Sequence, residues 1–185
     1  MAMKTIVILF FCLTGIATAQ IQLGYKSESI WFNHTGPAGN GTDELPLFNL
    51  YLTGGYKFSK AIFTHDLILE TRYGYDVFGE DSFRGADLQL AVKFFPIKRI
   101  YIIGCYNFHY STGFRSNGTN ILFKDFYFLD FGLGGYIMKF WYVELVYSDP
   151  ISDREYSGAI PEEGTPPGYI NNVLRLSVGF AWDLW

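Results

Sequence analysis

Two cysteines, three histidines and three methionines are all the soft or metal-seeking side chains in this 185-residue chain. Cys12 lies in the N-terminal segment, so Cys105 stands alone in the rest and no intrachain disulfide can form there. A lone cysteine in such a chain reads as a small packed apolar residue. His34 and His65 have no cysteine or second histidine at ligand spacing, and no stretch has the spacing of a calcium loop. The sequence therefore implies no metal and no cofactor. Positive charge is also scarce: 14 Lys and Arg against 18 Asp and Glu give a net charge of -4, which argues against nucleic acid as a partner. After the N-terminal segment no run of about 18 apolar residues occurs, which excludes a bundle of membrane-spanning helices.

The first residues have the layout of a secretory signal peptide. Lys4 supplies the positive start, Thr5 to Ile16 is almost wholly apolar, and Ala17-Thr18-Ala19 is a small-residue cleavage site. The expectation is a cleaved signal over 1–19 and one domain over 20–185. The apolar run is too short for a spanning helix. Phe11 before Cys12 is too large for a lipidation signal.

What the chain does have is aromatic residues, 19% of the total, and 20 glycines. A water-soluble domain rarely needs so many Phe, Tyr and Trp, whereas a lipid-exposed barrel places them outward and in girdles at both interfaces. Eight strand-like segments follow: Ile21–Phe32, Leu47–Phe58, Ala61–Tyr75, Ala86–Phe95, Arg99–Thr112, Phe126–Met138, Phe140–Tyr147 and Ile170–Leu184. Each is about as long as a tilted strand needs to cross a bilayer. Their links alternate strictly. Asn33–Pro46, Asp76–Gly85, Gly113–Asp125 and Ser148–Tyr169 are long; Ser59-Lys60, Pro96-Ile97-Lys98 and Lys139 are tight. With an even strand number, the termini and tight turns then share one end. The prediction is an all-β protein, a single eight-stranded antiparallel up-and-down transmembrane β-barrel.

Within the segments, side chains alternate with period two. Leu88, Leu90, Val92 and Phe94 oppose Asp87, Gln89, Ala91 and Lys93; Leu174, Leu176, Val178, Phe180, Trp182 and Leu184 oppose Arg175, Ser177, Gly179, Ala181 and Asp183. If the apolar stripe faces lipid, the other stripe fills the lumen. It would carry Lys26, Glu28, Asp66, Glu70, Arg72, Asp87, Lys93, Asp130, Glu144 and Arg175. Eight strands leave only enough width for side chains, so these opposite charges should pair. Gly54-Gly55 and Gly134-Gly135 fall inside strands, as close-approach or bend positions. The tight turns carry Lys57, Lys60, Lys98, Arg99 and Lys139, and the long links are acidic.

The chain closes on Ser177-Val178-Gly179-Phe180-Ala181-Trp182-Asp183-Leu184. A polar residue, a glycine two positions on and two large alternating residues at the end resemble the terminal assembly signal of bacterial outer-membrane barrels. Ser177, Gly179, Trp182 and Leu184 occupy those places. The whole domain resembles the small barrels of the OmpA/OmpX type in architecture, and its aromatic richness is similar to exported proteins of Bacteroidota. That resemblance implies residence in the outer membrane of a Gram-negative cell, with long loops outside and short turns in the periplasm. It also implies contact with outer-membrane lipid and lipopolysaccharide, and insertion by the barrel-assembly machinery. The expected role is non-enzymatic: a scaffold, or one subunit of a complex with other outer-membrane proteins. Two alternatives are a narrow pore and a lipid-modifying enzyme. The latter rests on His109-Tyr110-Ser111, which resembles the H-x-S element of lipid A deacylase barrels, with His as general base and Ser as nucleophile. Thr112-Gly113 replaces the Asn-Ala expected there, the element lies on the fifth strand rather than near the chain end, and alternation turns it to the lumen. The triplets beginning at Asn33, Asn40 and Asn117 would be glycosylation acceptors only in a eukaryotic secretory route.

Overall fold

The structure, a computed structural model, describes residues 16–36, 39–62, 65–79, 85–111, 114–116, 119–121, 125–151, 155–156 and 168–184. Every regular element is a strand: β1 (Ile16–Gly36), β2 (Gly39–Ile62), β3 (His65–Gly79), β4 (Gly85–Ile97), β5 (Ile100–Ser111), β6 (Phe114–Ser116), β7 (Thr119–Ile121), β8 (Phe126–Tyr136), β9 (Trp141–Pro150), β10 (Glu155–Tyr156) and β11 (Gly168–Asp183). Eight of them pair in the order β1-β2-β3-β4-β5-β8-β9-β11, all antiparallel, and β11 pairs back onto β1. The result is a closed eight-stranded up-and-down barrel, as the alternating links predict. β6 and β7 form a separate small hairpin between β5 and β8.

The register joins the two ends of the chain. Gln22 lies opposite Asp183 and Glu28 opposite Ser177. The Leu184 N–H then donates to the Ile21 carbonyl at 2.8 Å. Ile16–Ala19 continues β1 and pairs with Tyr56–Ser59, so the end of the expected signal peptide is a strand extension. The first fifteen residues lie outside the described ones.

Two links differ from the sequence reading. Asn33–Pro46 is not a loop: β1 and β2 run on as a paired hairpin to Gly36 opposite Gly39. Gly39 has φ +109°, a left-handed backbone open to glycine at little cost. The N-x-T triplets explain the extension. The Thr42 hydroxyl donates to Asn33 Oδ1 at 2.6 Å and the Thr35 hydroxyl donates to Asn40 Oδ1 at 2.8 Å, so each triplet satisfies the other across the hairpin. The turn expected at Ser59-Lys60 also moves. β2 continues past a register shift to Ile62, which pairs with His65, so Ala61 belongs to β2 rather than to the next strand.

Alternation sorts the side chains as expected. Outward lie an aliphatic band (Leu52, Leu69, Leu90, Ile102, Leu133, Leu145, Leu176) and aromatics at both margins. Tyr73, Tyr75, Tyr110, Tyr127 and Tyr147 stand toward the long-link end, here called the mouth. Toward the turn end, Trp141 meets Phe180 edge-on with centroids 5.4 Å apart, and Phe140 and Trp182 extend the cluster. Leu90 is 56% exposed and Trp182 61%, the reverse of a water-soluble core.

Candidate functional site

Among the described residues, chemistry-bearing side chains converge in the lumen, which is layered. At the turn end Tyr101 packs with Ile68, Phe95, Ile103 and Cys105, Tyr51 and Tyr142 pack with Ala181, and Tyr136 lies against both clusters. Glycines make room for three of those rings. A Cβ at Gly24 would come within 2.3 Å of Tyr51, at Gly134 within 2.4 Å of Tyr101, and at Gly179 within 2.2 Å of Tyr142. Gly55 is a close-approach point against the β3 backbone, whereas Gly54 faces open space. Of the expected glycine pair on β8, Gly134 is thus the tight position. Cys105 is free, buried and packed among apolar groups.

Above the tyrosines lies a charge network. Lys93 Nζ stands 2.9 Å from Glu70 Oε1 and 3.6 Å from Glu144 Oε1. Arg72 reaches Glu70 at 3.2 Å and Glu144 at 3.5 Å. The Tyr101 hydroxyl donates to Glu144 Oε1 at 2.7 Å. Arg72 also lies over the Tyr51 ring at 4.7 Å and Lys93 over Tyr101 at 4.9 Å. Two acids and two bases therefore close on each other with little left over, which is what burial of charge demands. Beside them Lys26 donates to Glu28 Oε1 at 2.7 Å, and the Ser177 hydroxyl reaches the same oxygen at 2.7 Å. The space left among Lys26, Arg72, Glu144 and Arg175 is about 20 Å³, room for one water molecule.

Nearer the mouth the inward residues change. Asp87 and His109 are register partners on β4 and β5, and His109 Nδ1 lies 2.9 Å from Asp87 Oδ1. Asp76, at the upper part of β3, accepts the Gly85 N–H at 3.1 Å and the Asn49 amide at 3.0 Å. Ligand atoms of Asp76, Asp87 and His109 lie within 4.8 Å of one another, and all three residues are buried. Sequence reasoning missed this cluster because Asp76 fell at the start of an expected loop. The two-residue alternation of β3 carried on to Gly79 would have found it. Ile30, Phe32, Leu47, Phe126, Phe128, Ile170 and Val173 form an apolar roof on the β1, β2, β8 and β11 side.

Nine of the ten predicted lumen charges are buried inside: Lys26, Glu28, Glu70, Arg72, Asp87, Lys93, Asp130, Glu144 and Arg175. Asp66 is the exception. It lies on the inward parity, but at the turn-end rim, where its side chain is 34% exposed and pairs with Lys57 at 3.1 Å. Too few residues remain below it for burial, and it places an acid among the basic turns. Lys60 lies among residues whose side chains are not described. Of the terminal-signal residues, Ser177 and Gly179 point inward, to Glu28 and to Tyr142, while Trp182 and Leu184 point outward. His109 and Ser111 take the inward face, with His109 engaged by Asp87. Thr112 and Gly113 lie outside the described residues, as do most of those between Ile151 and Gly168.

No protein-family model matches the sequence. A search of curated proteins finds no match either. Among solved structures the chain is similar to Neisserial surface protein A (NspA), at 8% identity over 90% of this chain and 97% of that one, with a TM-score of 0.36. It is similar to a de novo designed transmembrane β-barrel at 11% identity, covering 87% of this chain and 95% of that one, with a TM-score of 0.33. It is also similar to OmpT, an outer membrane protein of Vibrio cholerae, at 9% identity over 88% of this chain and 52% of that one, with a TM-score of 0.28. The barrel assignment rests on this chain's own strand pairing, which closes β11 onto β1.

Proposed function

We propose that the chain is an integral outer-membrane protein whose barrel is a filled scaffold, presenting its wall and mouth to lipid and to other outer-membrane proteins. The observation that carries this is the inversion of polarity: an exposed aliphatic band between aromatic margins, around a lumen of buried, paired charge. A closed barrel with that outer surface is stable in hydrocarbon, where every backbone group must be satisfied internally. The cleavable N-terminal segment and the terminal Ser177, Gly179, Trp182 and Leu184 support export and assembly as in the OmpA/OmpX-type barrels that the sequence resembles. On this reading the acidic long links lie outside the cell and the basic turns face the periplasm.

The buried, paired lumen charges, with about 20 Å³ left among Lys26, Arg72, Glu144 and Arg175, weigh against a pore. The scaffold reading is tested by mild-detergent extraction of native membranes after cross-linking. Recovery of the barrel in the outer-membrane fraction with a stoichiometric partner is the expected result. A strictly monomeric species would remove the subunit role, and recovery in the soluble fraction would remove the membrane assignment. Planar-bilayer recordings should show no steady conductance. The lipid-modifying alternative has one observation in its favour: Asp87 holds the imidazole of His109, two residues from Ser111. An unchanged lipid A profile after Ser111→Ala ends it.

A further inference from the structure

The turn end of the barrel carries its free positive charge in one sector. The β4–β5 turn and the β8–β9 turn lie side by side, because the Tyr136 N–H donates to the Arg99 carbonyl at 2.9 Å and Ile100 pairs with Gly135. Together they hold Lys98, Arg99 and Lys139, all exposed, and neither turn contains an acid. None of these three cations has an ion pair among the described residues, whereas Lys57 in the neighbouring sector is held by Asp66. We propose that these two turns bind the phosphate-bearing headgroup of an acidic phospholipid in the leaflet that meets the turn end. Such a site rests on the membrane-embedded barrel described above and adds to it a lipid class and a sector.

The depth of the cations fits a headgroup. Trp141, Phe180 and Trp182 form the aromatic margin at this end, the level at which barrels meet the membrane interface. Lys139 is two residues beyond Trp141, at most about 7 Å along the chain. It therefore stands within one Debye length of the phosphate layer. Lys139 Nζ lies 4.8 Å from the centre of the Phe140 ring, and that ring packs on Phe180 and Trp182. The ammonium is thus turned to the outer wall, the lipid side of the rim, and away from the lumen.

A second observation is independent of charge. Ile97, Ile137 and Met138, in or beside the same two turns, are each more than half exposed. A water-soluble acidic partner would match the cations and leave these side chains without a counterpart. A phospholipid matches both. Its phosphate takes the cations, its acyl-chain boundary covers the apolar tips, and the Lys and Arg stems span the two levels. An anionic membrane surface favours each nearby Lys or Arg by about fivefold. Three unpaired cations in one sector therefore select an acidic headgroup over a neutral one.

The test uses the mature barrel refolded into phosphatidylcholine vesicles, with folding checked by heat-modifiable gel mobility. Trp31→Phe in the background leaves the turn-end tryptophans to dominate the fluorescence. The vesicles carry a small share of dibrominated lipid, either phosphatidylglycerol or phosphatidylcholine, whose bromines quench tryptophan on contact. Dibrominated phosphatidylglycerol should associate with the turn end at least about fivefold more strongly than the neutral lipid. Combining Lys98→Gln, Arg99→Gln and Lys139→Gln should bring that ratio close to one, and Lys57→Gln should leave it unchanged. Raised salt should lower it. Equal quenching by both lipids in the folded wild type overturns the site. So does a preference that survives the triple substitution, or one lost equally in Lys57→Gln. Quenching by neither lipid is a different failure: the barrel then does not enter the bilayer, and the membrane reading falls together with the site.

Discussion

The two halves of one lumen are built on different terms. Toward the turns, Glu70 and Glu144 meet Arg72 and Lys93 one for one, tyrosine rings support the cations, and glycines shape the floor to those rings. Toward the mouth, Asp87 engages His109, Asp76 accepts from Asn49 and the Gly85 N–H, and the amide of Asn107 is buried with no hydrogen-bond partner. The lower half is arranged for stability. Single buried atoms lack partners in both halves, Arg72 Nε and the Tyr142 hydroxyl among them, but the upper half holds a whole amide, Asn107, with neither end satisfied.

The sharpest way to probe this difference is to break the lower half. Glu144→Ala leaves Arg72 and Lys93 short of a counter-charge in a buried site and should cost about 3–5 kcal/mol. Urea unfolding in lipid vesicles, followed by tryptophan fluorescence, measures it; a loss below about 1 kcal/mol would mean the network is not load-sharing. A charge placed on the outer wall calibrates that number. Leu90→Arg, mid-band on the lipid side, should cost about 2–4 kcal/mol in vesicles, and the same substitution should be nearly silent if the wall faces water. In the upper half the sign reverses. Asn107→Leu replaces an unsatisfied amide by a side chain of similar volume and should raise stability by about 1 kcal/mol. A destabilised Asn107→Leu barrel would show that the amide already has its partners. Smallest of all, Asp66→Asn removes a half-exposed pair with Lys57 and should shift stability by less than about 1 kcal/mol. A larger loss would place Asp66 in the network after all.

Much of this was readable from the sequence because a barrel strand has a strict two-residue code. Asp87, Gln89, Ala91 and Lys93 turned inward as the alternation required, and so did Arg175 and Ser177. Height along the barrel is a different matter. Parity does not say how far a residue lies from the rim, which is why alternation alone puts Asp66 among the buried charges and turn composition puts Asp76 in a link. Partners across strands depend on register, and register between β3, β4 and β5 is set by turns whose positions composition leaves two or three residues uncertain. The Asp76–Asp87–His109 cluster needs three strands aligned at once. The hairpin beyond the barrel mouth is hidden for another reason: its residues are polar on both faces, so hydrophobic alternation is silent there and hydroxyl-to-amide pairing takes its place.

The seam between β1 and β11 has a consequence in time. Gln22 finds Asp183 only after every strand between them has been made. Until then the sheet has two open edges, each a row of unpaired amides able to recruit a neighbouring molecule. Loop closure over such a separation is slow compared with local hairpin formation. The nascent chain must therefore be kept from sealing onto its neighbours until β11 reaches β1, and the strand that closes the seam is the one that makes the others safe.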